Sequence, residues 1–323
     1  MEGRFVRLVC LCVALSAFGS LAGCGDSGEE GGTSVRSTAT TAPATGEGTV
    51  PRASAEGQRT PELVPPDFGA RVLAGAGGRG TGVVIAPLAG GPIRAFGDLR
   101  SPHAWSTIKP VIAVAVSRAR HAGELPGGRT LTGSERELIA RAIENSDNAA
   151  AAALFQELGP QSEATAALQR VLVAADDRRT HVNEKVTRPP FSSYGQTVWA
   201  LPEEARFYRQ LANGCLADPQ DTRLVLADMG AVTEVGGSGW GLSVARFPEL
   251  GFKAGWGPEH GQTGYTALQY GIVRDARRGG YVIGVVAETQ GDASTAYATV
   301  TDLAQRAATL LRGRHGPTGK PRC

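Results

Sequence analysis

The sequence predicts an α/β (α+β) domain: an antiparallel sheet from both chain ends, flanked by helices, with an inserted all-helical subdomain. Three observations carry this. β-rich runs occur early, at Thr81–Ala86 and Ile93–Gly97, and again late, at residues 251–255, 264–274 and 281–288. Between them the apolar spacing is helical in several separate runs from Ser106 to Met229. A final amphipathic stretch, Thr295–Leu311, follows the last strand. Strands at the ends and helices between them pack most simply as one sheet covered by the terminal helix, with a cleft where sheet and inserted helices meet.

The first element is an address. Arg4 and Arg7 precede an apolar run, Leu8–Leu21. It is too short to span a bilayer, which takes about 20 residues, and reads as a secretory signal. It ends in Leu21-Ala22-Gly23-Cys24, which resembles a bacterial lipobox, in which the cysteine is lipidated after cleavage. The alternative is an ordinary signal peptide with a cysteine near the cut. The expected divisions are a signal over 1–23, a lipidated Cys24 and flexible tether over 24–66, a folded domain over 67–312 and a flexible tail over 313–323. The tether is rich in Gly, Ser, Thr, Ala, Pro and Glu and holds too little apolar surface to offset its ordering entropy. The expected location is extracytoplasmic, with the protein anchored to the bacterial cell membrane.

Within the folded part, Thr81–Ala86 and Ile93–Gly97 flank Gly90-Gly91-Pro92 and read as a hairpin. Ser106–Ala122 is helical, with Pro110 tolerated in its first turn and Gly123 at its end. Ser134 and Glu137 form a capping-box pattern before Leu138 and Ile139. Further helices fit 148–158, 161–173, 201–212 and 220–229, while about 174–198 is long and irregular. Three strands follow, the last two joined by a turn at Arg277–Gly280.

The composition narrows the function. The chain has 323 residues and a net charge of +2, so no nucleic-acid partner is implied. Its five cysteines, Cys10, Cys12, Cys24, Cys215 and Cys323, show no zinc or iron–sulfur spacing, and no metal or cofactor is expected. Cys215 and Cys323 are free to pair in an oxidising compartment, although sequence does not show that they meet. Only four residues are lysine: Lys109, Lys185, Lys253 and Lys320.

Two of those lysines fall in short motifs. Ser106-Thr-Ile-Lys109 puts a hydroxyl and an amine one helical turn apart. Ser146-Asp147-Asn148 sits at a junction of helices, and Lys253-Ala254-Gly255 on a strand where glycine admits close backbone approach. Each alone has a plain structural reading: a capping serine and a surface lysine, a helix N-cap, a solvated edge lysine.

Together and in this order the three resemble the S-x-x-K, S-D-N and K-T-G set of class A β-lactamases and penicillin-binding proteins. The resemblance extends through Leu138–Leu154 and Lys253–Glu288 and covers about residues 80–312. It implies that Ser106 is the nucleophile and that Lys109 assists its deprotonation. It also implies that Ser146 passes a proton to the leaving amine and that Lys253 supplies charge beside it. Asn148 would hold the substrate amide, Gly255 would border the substrate, and the oxyanion would sit between the backbone N–H groups of Ser106 and Trp256. The substrate would be a β-lactam or a peptidoglycan stem peptide, and the protein a monomer.

The sequence departs from the family in three ways. Ala254 stands where a hydroxyl residue is usual, so weaker binding of the substrate carboxylate is expected. The first and second motifs lie closer together than class A enzymes usually have them, which suggests a missing cleft wall. No Glu-x-x-Leu-Asn occurs, and Glu184 is the nearest carboxylate in the irregular stretch that could serve as general base. Efficient β-lactam hydrolysis is therefore doubtful. The alternative function is an inactive envelope lipoprotein that binds cell-wall peptide in the same cleft. The five histidines lie outside any G-x-S-x-G context and read as surface or structural residues.

Overall fold

The computed structural model describes residues 63–76, 80–259, 264–274, 279–314, 316 and 323, all within one compact unit, Gly57–Cys323. The signal, Cys24 and most of the tether lie outside the described residues, as do residues 275–278 of the expected turn, His260, His315 and Lys320.

The strands form one five-stranded sheet. β1 (Thr81–Pro87) pairs with β2 (Arg94–Gly97) as the expected hairpin. β3 (Leu250–Pro258), β4 (Tyr265–Val273) and β5 (Tyr281–Thr289) follow one another antiparallel. The order is β2-β1-β5-β4-β3, with β1 against β5 from Thr81↔Ala287 to Pro87↔Tyr281. The two ends of the chain therefore meet inside the sheet, and β3 is an edge. Every residue of β1 is buried, as a strand covered on both faces requires.

The pleat divides the side chains between two cores. Val83, Ile85, Phe252, Ala254, Ile283 and Val285 face α1 (Phe68–Leu73) and α8 (Ala293–Leu311), which contributes Val300, Leu303, Ala304 and Ala307. Val84, Ala86, Leu268, Tyr270, Val282 and Val286 face the helical subdomain. That subdomain comprises α2 (Lys109–Ala122), α3 (Gly133–Glu144), α4 (Asn148–Glu157), α5 (Gln161–Ala174), α6 (Leu201–Ala212) and α7 (Pro219–Gly230).

Helix starts differ from expectation in instructive ways. The helix expected from Ser106 begins as a 3-10 turn, Trp105–Ile108, and becomes α-helical at Lys109. The capping box of α3 uses Thr132 and Glu135, not Ser134 and Glu137: Thr132 Oγ1 accepts from Glu135 N at 3.2 Å, and Thr132 N donates to Glu135 Oε2 at 2.6 Å. Both pairs have the right spacing. Glu135 prevails because its other carboxylate oxygen is held by Arg120 Nε at 2.6 Å in the interior. Asp292 caps α8 two residues earlier than periodicity suggests. The short helix α1 carries no signal that distinguishes it from the tether before it.

The long segment after α5 is pinned by two polar side chains. Asp177 accepts from Arg179 N, Thr180 N and Trp199 Nε1. Gln196 accepts from Thr187 N and Arg188 N and donates to Phe191 O and Ser192 O. These bonds satisfy backbone groups that a strand or helix would otherwise pair. Cys215, between α6 and α7, forms a disulfide with Cys323. His121 in the last turn of α2 meets the start of α7, where Asp221 accepts from His121 Nε2 at 3.1 Å and from Ser117 Oγ at 2.6 Å.

Candidate active site

The three motifs come from three different elements, and the fold brings them to one place. The 3-10 turn before α2 supplies Ser106 and the first residue of α2 is Lys109, with Lys109 N donating to Ser106 O. The link between α3 and α4 supplies Ser146. Asp147 caps α4 by accepting from Ala149 N at 2.8 Å and Ala150 N at 3.1 Å, which places Asn148 as the first residue of that helix. Edge strand β3 supplies Lys253.

Ser146 is the meeting point. Its Oγ accepts from Lys253 Nζ at 3.0 Å and from Lys109 Nζ at 3.3 Å. Lys109 also donates to Ser146 O at 2.6 Å and Asn148 Oδ1 at 2.8 Å. Lys253 also donates to Ala254 O at 3.1 Å. Ser106 is half-buried one turn from Lys109, and its backbone nitrogen lies against Gly255: a Cβ at 255 would come within 3.0 Å of it. A side chain there would push β3 off the turn, so glycine is required by close approach.

Two amines crowd one hydroxyl in a dry site. Lys109 is 2% exposed and Lys253 fully buried. Burial lowers the Lys109 pKa to about 7, with the nearby Asp147 charge opposing the shift. Burial, reinforced by the Lys109 charge, takes Lys253 well below the usual lysine range. An amine that titrates near neutrality can exist there as a free base, which a solvated lysine cannot.

Two backbone outliers flank the cluster. Trp105 (φ 47°) and Ser146 (φ 54°) both occupy the left-handed region, where a non-glycine residue costs of order 1–3 kcal/mol. Such strain persists only where surrounding contacts over-determine it. For Trp105 those contacts are visible. Its indole lies across Gly257, packs edge-on against Phe191 at 5.0 Å, and donates from Nε1 to Glu259 Oε1 at 3.3 Å.

Glu259 is the residue that sequence reading missed. It is buried just beyond β3 and also accepts from His103 Nδ1 and Arg188 Nη1, each at 3.0 Å to Oε2. The Arg188 guanidinium stacks over Trp105 with its carbon 5.2 Å from the ring centre. Burial pushes the Glu259 carboxyl up, but the His103 hydrogen bond and charge and the Arg188 bond outweigh it and hold it at about 2. One carboxylate thus ties together the end of β3, the residue before Ser106 and the long segment. Its partners lie 156 and 71 residues away, so no local pattern marks it.

The remaining candidates divide. Trp256 is on β3, but its ring lies on the other face of the sheet, edge-on to Trp240 and Tyr297 at 6.3 and 6.5 Å. Any part in the site is therefore through its backbone. Glu184 is exposed; its carbonyl accepts from Gln161 Nε2 at 2.9 Å. Among the described residues no hydrogen bond or ion pair joins its carboxylate to Lys109, Ser146 or Lys253. His103 is structural, as expected, through Glu259; His181 is exposed.

Comparison with known proteins bears on the family and the fold. The model of the β-lactamase enzyme family matches residues 69–311. Among solved structures, a variant of a reconstructed last common ancestor of Gram-negative class A β-lactamases is 22% identical, with a TM-score of 0.59, covering 77% of this chain and 98% of that one. A β-lactamase from Xanthomonas campestris pv. campestris is 20% identical (TM-score 0.57), covering 75% and 95% of the two chains. One from Sphaerobacter thermophilus is 21% identical (TM-score 0.57), covering 75% and 96%. At these identities the likeness is one of fold. No curated protein sequence matches.

Proposed function

This chain belongs to the β-lactamase enzyme family, and on that premise we propose that it is a serine hydrolase acylated at Ser106 by a β-lactam or a peptidoglycan-like amide. The observation that carries this reading is the placement of Ser146 Oγ between Lys109 Nζ and Lys253 Nζ, at 3.3 and 3.0 Å.

The residues divide the work as follows. Neutral Lys109 takes the Ser106 hydroxyl proton as Ser106 Oγ bonds to the carbonyl carbon. The carbonyl oxygen gains the negative charge, next to the Ser106 N–H and the free edge of β3, where alternate N–H groups point away from β4. As the C–N bond breaks, Ser146 gives its proton to the leaving nitrogen and recovers one from the lysine beside it. Lys253 offsets the charge that develops on the Ser146 oxygen. Asn148 has its side-chain oxygen bonded to Lys109, which leaves its amide NH₂ to hold the substrate carbonyl.

Water must then release the acyl group. With Glu184 exposed and no Glu-x-x-Leu-Asn in the sequence, the reading supplies no carboxylate to activate that water, and general-base help is worth roughly 10²–10⁴-fold. The acyl-enzyme is therefore long-lived, and the activity is closer to that of a D,D-peptidase or a penicillin-binding protein than to efficient antibiotic hydrolysis.

The deciding experiment is intact mass spectrometry after exposure to a fluorescent penicillin. A stable adduct that is absent in Ser106→Ala supports the reading. Rapid turnover would make the protein an efficient β-lactamase. No adduct in either protein would favour an inactive lipoprotein that binds cell-wall peptide. We also propose anchoring to the outer face of the bacterial membrane through Cys24, supported by Leu21-Ala22-Gly23-Cys24. Palmitate labelling lost in Cys24→Ala is the expected result, and a released, unlipidated chain would refute it.

A further inference from the structure

Position 254 is where the third motif departs from its family, and the structure supplies a reason. Ala254 is fully buried, opposite Gln269 on β4, on the sheet face that carries Phe252 and Trp256 rather than the face that carries Lys253. The backbone of Gly237 lies on it. A Cβ at 237 would stand 2.4 Å from Ala254 Cβ and 3.0 Å from the Trp256 ring, and Gly237 holds φ +100°, which disfavours any side chain.

This contact is anchored at both ends. Buried Gln269 donates from Nε2 to Gly237 O at 2.8 Å and Trp240 O at 3.1 Å, and accepts from Leu242 N at 2.6 Å. At the other end Thr233 N and Oγ1 donate to Glu144 O at 3.0 and 3.2 Å. Gly236 packs so closely on that carbonyl that a Cβ there would come within 1.8 Å of it. Glu144 is the last residue of α3, just before Asn145 and Ser146. Residues 233–239 therefore run from the second motif to the residue after Lys253.

From this geometry we infer that the segment Thr233–Gly239 is a strut that fixes the spacing of the second and third motifs, and that Gly237 and Ala254 are a matched small pair. Position 254 is a packing contact, and the substrate carboxylate is not held from it. A hydroxyl added at 254 meets Gly237, not the substrate. This rests on the acylation reading for its kinetic part only; the packing part stands alone.

The test uses Ala254→Ser, Ala254→Thr and Gly237→Ala, with acylation by the fluorescent penicillin and thermal melting as readouts. Acylation in Ala254→Ser is expected within threefold of the parent. The melting temperature should fall in all three, more for Ala254→Thr than for Ala254→Ser, since each intrudes on the same contact. A tenfold or greater rise in acylation in Ala254→Ser, with an unchanged melting temperature, would overturn the inference. So would an Ala254→Thr variant that melts with the parent. If the parent takes no penicillin, the acylation reading fails by itself, and the order of melting temperatures still decides whether 237 and 254 are matched.

Discussion

Lys109 gives the sharpest prediction. With its pKa near 7, the free-base fraction is about one-eleventh at pH 6 and ten-elevenths at pH 8. If Lys109 is the base that deprotonates Ser106, acylation by a fluorescent penicillin rises roughly tenfold across that interval, with unit slope below pH 7. Lys109→Met removes the slope and lowers the rate by roughly 10²–10⁴-fold. Stopped-flow fluorescence from pH 5.5 to 8.5 measures both. Stability must move with the same proton. Between pH 7 and 10.5 the unfolded chain keeps a proton on Lys109 that the folded chain has released, so stability rises with pH, by up to ~1.4 kcal/mol per unit. Lys253 is also lowered, by burial and by the Lys109 charge, and adds a slope of the same sign. Urea titrations from pH 7.5 to 9 should therefore show Lys109→Met with a shallower pH dependence than the parent. An acylation rate flat from pH 6 to 8, or a variant with the parent's stability slope, would refute the assignment.

The other predictions concern the frame. Glu259→Ala leaves Arg188 and His103 beside an empty buried site and should lower unfolding free energy by about 3–5 kcal/mol in urea. The parent should also lose stability as pH falls from 4.5 through about 2, where Glu259 takes up its proton, and Glu259→Gln should lose less over the same range, the lowered Asp98, Glu135 and Asp147 still contributing. Asp147→Ala removes the cap of α4 and should cost about 1 kcal/mol by the same assay. Cys215→Ser opens the link to Cys323 and should lower stability by about 2–5 kcal/mol, matching the parent under reducing conditions.

Much of the fold was readable because its signals are local. The hairpin, the helices α2 to α7 and the three last strands each carry their own period. The candidate site was legible for a different reason: Lys109 and Lys253 are half of all the lysines, and each sits in a short motif. What escaped was set by distant contacts. Which of two capping boxes starts α3 is decided by Arg120, and the role of Glu259 by His103 and Arg188. The direction of the Trp256 ring follows from the pleat of β3, in which neighbours of Lys253 point away from it. Ala254 reads as a loss in sequence because Gly237 and Gln269, which explain it, lie on other elements.

The pairing of β1 with β5 sets an order of events in the making of the molecule. A ribosome delivers Thr81–Pro87 long before Tyr281–Thr289, yet β1 is fully covered only when β5 lies beside it. Until then the nascent chain holds an apolar hairpin whose inner edge is unpaired, a surface prone to pair with other chains. Closure of the sheet must also bridge the entire helical insertion, a non-local step of the kind that slows folding. Strand β3, which carries Lys253, shares that sheet. Its register against β4 and β5 is secured only when the last part of the chain has been made, so a translation product cut short before Thr289 would hold every motif residue and still lack a site.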